Sequence, residues 1–373
     1  NFIFLKAGND AAELYESLWT QFEASTWSEP LARGRLNRPR LEWFVQTVVV
    51  AQNGDDVEIG RLYAGYRKFV DSQPAMRTTA AQLKLLNNYA EHYRALVTGI
   101  GTTPIAVFGR RVSDWDASPA HPLALRVAAS GLDEEEQCAI FACIESYLVR
   151  RAVCGLTRKN YNKVFQQQLK SLVAGGLSLT TLRAALSAPV GEASRWPTDE
   201  EFRRALREGD LYLGRLDAAK MRSLLHRMES AMRSEKSEEK VPLDFGSLDI
   251  EHILPQSWSN HWPLADGSTV QFDEIVSVRR LQIAGEELSP RALAIAARLE
   301  AIPRLGNLTM LHYGLNRGLQ NSEFEVKREQ LIKHSNLQLN RELFSLPDWD
   351  EERIAARGAK LAEVALSLWQ GPV

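Results

Sequence analysis

Asp249-Ile250-Glu251-His252-Ile253-Leu254-Pro255-Gln256 places an imidazole directly after a carboxylate, inside a short β-prone run that a proline stops. Imidazole accepts protons near neutral pH and a carboxylate is a hard oxygen ligand. Attack of water on a phosphodiester uses both kinds of group.

A second segment, Gly306-Asn307-Leu308-Thr309-Met310-Leu311-His312-Tyr313-Gly314-Leu315-Asn316-Arg317, reads as a β-prone run, a turn and the start of a helix. Asn307 and Asn316 bracket it. Together the two segments resemble the ββα-metal, or His-Me finger, fold of HNH nucleases, in which a strand with the histidine is followed by a strand and a helix carrying the last metal ligand. The likeness extends to the HNH domain of RNA-guided CRISPR nucleases. It is closer to the nuclease half of GmrSD-type modification-dependent restriction endonucleases, with I-E-H-I-L-P-Q, then G-N-L-T-x-L, then L-N, then N-x-x-F-x-x-K, here Asn321, Phe324 and Lys327. A further signature of those proteins falls at residues 145–165, from Glu145-Ser146-Tyr147-Leu148 to Phe165.

The resemblance implies roles. His252 is the general base, Asn307 holds its ring, and Glu251 and Asn316 are ligands of Mg²⁺ or Mn²⁺. Beside these roles, Asp249 shares a strand face with Glu251 in a regular strand and reads as an additional ligand, a supporting carboxylate or a strand-end polar residue. Arg317 and Lys327 are candidates for phosphate contacts. Neighbours on a regular strand point to opposite faces, so Glu251 and His252 converge only if the chain bends near them.

The implied activity is a metal-dependent DNA endonuclease or nickase, the effector part of an anti-phage restriction system acting on phage or modified DNA. Two alternatives stand beside it: an RNase using the same finger, and an inactive helical module for DNA binding or oligomerisation. In such proteins an N-terminal ParB-like domain uses the nucleotide. No glycine-rich phosphate loop or D-G-Q-Q-R-like motif occurs in this sequence. The implied partners are therefore DNA, an absent nucleotide-binding sensor domain or subunit, and a second copy of the chain. The sequence starts at Asn1 without an initiator Met and reads as a piece of a longer protein.

Composition bounds the rest. The 373 residues, 45% hydrophobic, suffice for two or three domains. The net charge of -2 gives no overall basic field, so DNA contact must rest on local patches. Residues 241–373 carry 13 Lys+Arg against 18 Asp+Glu, whereas residues 150–240 carry 18 against 11. Cys138, Cys143 and Cys154 lack metal-knuckle spacing, which favours a reducing, cytoplasmic setting. No apolar run is long enough to span a membrane.

Helical periodicity dominates the remainder, so the expected class is mainly α: a multi-helix domain over 1–233, a polar linker over 234–243 and an HNH-like nuclease domain over 244–373, its finger embedded in further helices. The run Asn1–Leu5 reads as a strand or extended arm, and 33–40 as a polar basic loop. Leu41 to Val50 is expected as a buried helix despite its valines. Ser289 and Pro290 signal a helix start, Ser322 is expected to cap the helix holding Lys327, and the tail 348–369 reads as an amphipathic helix.

Overall fold

The computed structural model describes residues 3–212, 214–233, 245–259, 261–319 and 321–372. It is mainly helical, with 18 α-helices and two small two-stranded sheets among the described residues. The linker expected over 234–243 lies outside them. The chain divides into two compact units, one formed by 1–149, 157–196 and 372–373, the other by 150–156 and 197–371.

The first unit is built on aromatic and aliphatic faces of successive helices. Helix Arg40–Asn53 buries Phe44, Val48 and Val49 completely or nearly so. Its valines favour strands when considered alone, but burial on several sides overrides that preference. Gly54, with φ +70, ends the helix in the left-handed region that glycine enters without strain. Tyr93 packs against Phe44 and Trp27. Two expectations fail here. Ile3–Lys6 is a turn of 3₁₀ helix, not a strand. The expected basic loop is a β-hairpin, β1 (Pro30–Arg33) paired antiparallel with β2 (Leu36–Pro39).

The second unit holds β3 (Leu248–His252) and β4 (Leu308–His312), which run antiparallel with Glu251 opposite Thr309 and His252 opposite Leu308. Helix Tyr313–Leu319 follows β4 directly and packs against both strands. Between the strands the chain forms helices Phe272–Ala284 and Pro290–Ala301. Ser289 caps the second of these, its side chain accepting from Ala292 N–H, with Pro290 in the first turn. Trp258, Trp262 and Ile295 from this insertion form one core with Ile253, Leu254, Trp349 and Ile354. The insertion thus folds back onto the hairpin. Buried Arg298 secures it, donating to the carbonyls of Trp262 and Pro263 and pairing with Glu351.

The last helix, Glu351–Leu368, presents Ile354, Leu361 and Ala365 inward at helical spacing. Arg357 shares that buried face. Its guanidinium donates to the carbonyls of Gly306 (2.6 Å), Leu308 (2.8 Å) and Leu339 (2.9 Å) and pairs with Glu342. Gly306 lies so close to this helix that a Cβ there would run into the carbonyl oxygen of Ile354. Helix Phe324–His334 carries no side-chain cap; its N-cap is Glu323, not the expected Ser322.

Candidate active site

Burial alternates unevenly along β3. Asp249 is exposed, while Glu251 and His252 are half-buried and the chain bends at Ile253 and Leu254. The bend comes after the Glu-His pair, so within the strand the two side chains keep opposite faces. Glu251 meets helix Phe324–His334 and His252 meets the ring of Tyr212, with centroids 5.7 Å apart.

Asn307 determines where the strand ends. Its backbone carbonyl accepts from Ile253 N–H at 2.9 Å. Its side-chain Oδ1 accepts from Leu254 N–H (2.8 Å) and from Trp349 Nε1 (3.1 Å), and its Nδ2 donates to the carbonyls of Leu254 (2.8 Å) and Ile302 (2.9 Å). The carboxamide is completely buried, and two acceptor and two donor contacts fill its capacity. It therefore holds the backbone two residues after His252 and not the imidazole ring, which corrects the expected contact.

Lys327 requires a second correction. It is only 1% exposed, which removes it from the phosphate-contacting candidates. Its ammonium donates to Glu251 Oε1 at 2.6 Å and to the carbonyl of His252 at 3.0 Å. One cation thus clamps both residues of the Glu-His pair. Burial raises the Glu251 pKa and lowers that of Lys327; their mutual attraction opposes both shifts. Burial, and then the charge of Lys327, lower the pKa of His252 to about 4. The imidazole is therefore neutral at physiological pH and has a nitrogen lone pair to offer.

The remaining candidates lie on the helix after β4 and at the outer end of β3. Asn316 is half-buried and its side chain makes no hydrogen bond among the described residues, and Arg317 beside it is exposed. Asp249 shares the strand face of Glu251 and lies 3.9 Å from Arg222. Among the described residues no group of three or more His, Cys, Asp or Glu side chains is gathered for an ion. The donors on offer are the clamped carboxylate of Glu251, the exposed carboxylate of Asp249 and the unengaged carboxamide oxygen of Asn316. Such a sparse, hard set fits an ion that keeps most of its water, as Mg²⁺ does.

Reading the sequence alone misses Tyr212, Arg222 and the network under β4. There Thr309 bonds to Asn340, and Asn340 donates to Met310 O and Ser335 Oγ. Glu229, fully buried, accepts from the backbone N–H groups of Gln338 and Leu339. Isolated polar residues in helices give little sequence signal. Lys327 did give one: with Phe324 and Leu331 it falls at steps of three and four on a buried face.

No helix among the described residues is long and apolar enough to cross a membrane. No curated protein matches the chain. A family model, described as GmrSD restriction endonucleases, C-terminal domain, matches residues 196–364. The matched region takes in the motif at 249–327 and leaves out the signature at 145–165. Residues 196–364, which contain every residue of this site, are thus similar to the C-terminal domain of GmrSD restriction endonucleases.

Proposed function

We propose that the second unit is a metal-dependent endonuclease of the HNH type that cuts DNA, as the effector of a restriction system directed at phage or modified DNA. The family match over residues 196–364 supports a nuclease of restriction type. The finer reading rests on one observation: an antiparallel strand pair, followed at once by a packed helix, that carries Glu251-His252 on its first strand and Asn316 on the helix.

In this reading the phosphodiester lies across the end of β3, reached by His252 from one strand face and by the ion-holding side chains from the other. His252, neutral because it is buried, takes the proton from the attacking water. The water oxygen bonds to phosphorus as the bond to the leaving sugar oxygen breaks. Glu251 and Asn316, with Asp249 as the further carboxylate on that face, would hold Mg²⁺ or Mn²⁺. When bound, the ion supplies Lewis-acid stabilisation of the phosphate and the leaving oxygen. Lys327 keeps Glu251 and the strand end in place, and Arg317 contacts a flanking phosphate. A single site acts on one strand per event, which makes the elementary product a nick. A double-strand cut requires a second event or a second copy.

The test is conversion of supercoiled plasmid to nicked and linear forms with Mg²⁺ or Mn²⁺. His252→Ala and chelation by EDTA should each abolish cutting, with the variant's thermal midpoint close to wild type. Equal cutting by His252→Ala would remove the histidine from the mechanism. Cleavage of RNA but not of DNA would transfer the site to the RNase reading.

A further inference from the structure

A cavity of about 430 Å³ opens in the first unit between the β1–β2 hairpin, helix Arg40–Asn53 and helix Tyr161–Gly175. Its size is that of a small-molecule site. Arg33, the last residue of β1, is half-buried in its wall. Its guanidinium lies over the Trp43 ring, 4.8 Å from the centroid, donates to Tyr93 Oη at 3.1 Å and faces His121 Nδ1 at 3.3 Å. No carboxylate lies within ion-pairing distance of it among the described residues. A half-buried guanidinium without a counter-charge has donors to spare.

The rest of the lining suits a flat, polar-edged ligand. Trp43, Phe165 and Pro119 supply apolar faces. Gln166 and Asn162 line the cavity with carboxamides that make no hydrogen bond among the described residues, and Asp56 adds an unpaired carboxylate. A heteroaromatic ring with acceptors on one edge and N–H donors on another would match Arg33 and the amides on one side and Asp56 on the other.

A second cleft, of about 200 Å³, shares Ser118, Pro119 and Asn162 with the first and is lined by Arg158 and Lys159. Arg158 pairs with Asp116, which has φ +55 and is the one non-glycine residue with positive φ among those described. Strained backbone of this kind persists where its surroundings hold it in place, and it concentrates at ligand sites. The Lys159 ammonium is exposed and has no acidic partner among the described residues. Carboxylates of Asp56 and Glu58 border the larger cavity and disfavour phosphate there, whereas the smaller cleft offers two cations to one carboxylate.

We propose that the two cavities form a nucleotide site, with the base against Trp43 and Arg33 in the larger and the phosphate at Lys159 in the smaller. The nucleotide is either free or part of a single DNA strand. The chemistry recognised is the same in both cases.

Isothermal titration of the full chain, without divalent metal, separates the two sources. The probes are the four deoxynucleoside 5′-monophosphates and a short single-stranded oligonucleotide. The variants are Gln166→Trp, which fills the larger cavity from a half-buried position, and Lys159→Ala, which is exposed. Circular dichroism checks that both are folded. Each should weaken binding by about tenfold or more. Binding of a monophosphate identifies a free nucleotide, and binding of the oligonucleotide alone identifies a strand. No binding of any probe, or binding unchanged in Gln166→Trp, overturns the site; binding unchanged in Lys159→Ala overturns the phosphate placement.

Discussion

The side chain of Asn307 pairs with the backbone of Leu254 as a neighbouring strand would, accepting from its N–H and donating to its carbonyl, both at 2.8 Å. A carboxamide thereby closes the strand end where backbone pairing stops. The position of His252 depends on this closure, because only Ile253 separates it from the pinned residue.

Asn307→Ala should therefore cost both stability and activity. It leaves buried groups of Leu254, Ile302 and Trp349 without their partner, and each such loss is worth about 1–3 kcal/mol. The denaturant midpoint should fall markedly and plasmid cleavage should be lost under conditions where the variant is still folded. A variant with wild-type stability and activity would show that the pin is dispensable.

Lys327 and Glu251 form a buried pair at 2.6 Å. Lys327→Met leaves the carboxylate without its cation, at an expected cost of about 3–5 kcal/mol. Adding Glu251→Gln should recover much of that loss, since the stranded charge is gone, but should not recover cleavage. A double-mutant cycle on unfolding, run beside the plasmid assay, measures both. Additive stability losses would mean that the two groups do not act as a pair.

Gly306→Ala should be among the most damaging small substitutions in the second unit. The added methyl meets the carbonyl oxygen of Ile354, a backbone atom that cannot rotate away. Overpacking of this kind costs about 1–3 kcal/mol or more. A thermal melt checks it, and an unchanged midpoint would contradict the close approach of the last helix to Gly306.

His121 makes the first unit sensitive to acid. Burial, and then the neighbouring Arg33, hold its folded-state pKa well below 6.5. Above that value the ring is neutral whether the chain is folded or not, and its contribution is fully present. As pH falls through the unfolded value, the unfolded chain takes up a proton that the folded one refuses. Stability then declines by at most about 1.4 kcal/mol per pH unit for this single group. His121→Asn keeps an acceptor near the Nδ1 position and should flatten the decline between about pH 7 and pH 5. Denaturation of both proteins at each pH tests this.

How far the sequence discloses this structure depends on the kind of residue. Strand, bend and helix at 248–256 and 306–319 follow from β-prone runs, a proline and a turn. The mainly α class follows from periodicity. The caps at Ser289 and the buried Leu41–Val50 helix are equally legible. The hairpin at 30–39 is not, because its strands are short and largely exposed, with Arg, Asn and Pro in place of alternating apolar residues. Lys327 misleads, and the burial of Arg357 goes unread, for a common reason. Each is a long cation on the buried face of a helix, between Phe324 and Leu331 or between Ile354 and Leu361, and its burial depends on a carboxylate or carbonyls from distant segments. The same non-local dependence hides the task of Asn307: its residue type shows that it can pair four ways, but only the fold shows with what.

The clasp formed by Trp349 and Arg357 on Asn307, Gly306 and Leu308 has a consequence for synthesis. A ribosome releases both strands of the hairpin before the helix that fastens them, since that helix follows both of them in the chain. Until Glu351–Leu368 has emerged and docked, the Glu-His pair lacks its fixed surroundings. On the proposed reading, a chain stalled or truncated before that point carries the whole catalytic set and cuts nothing.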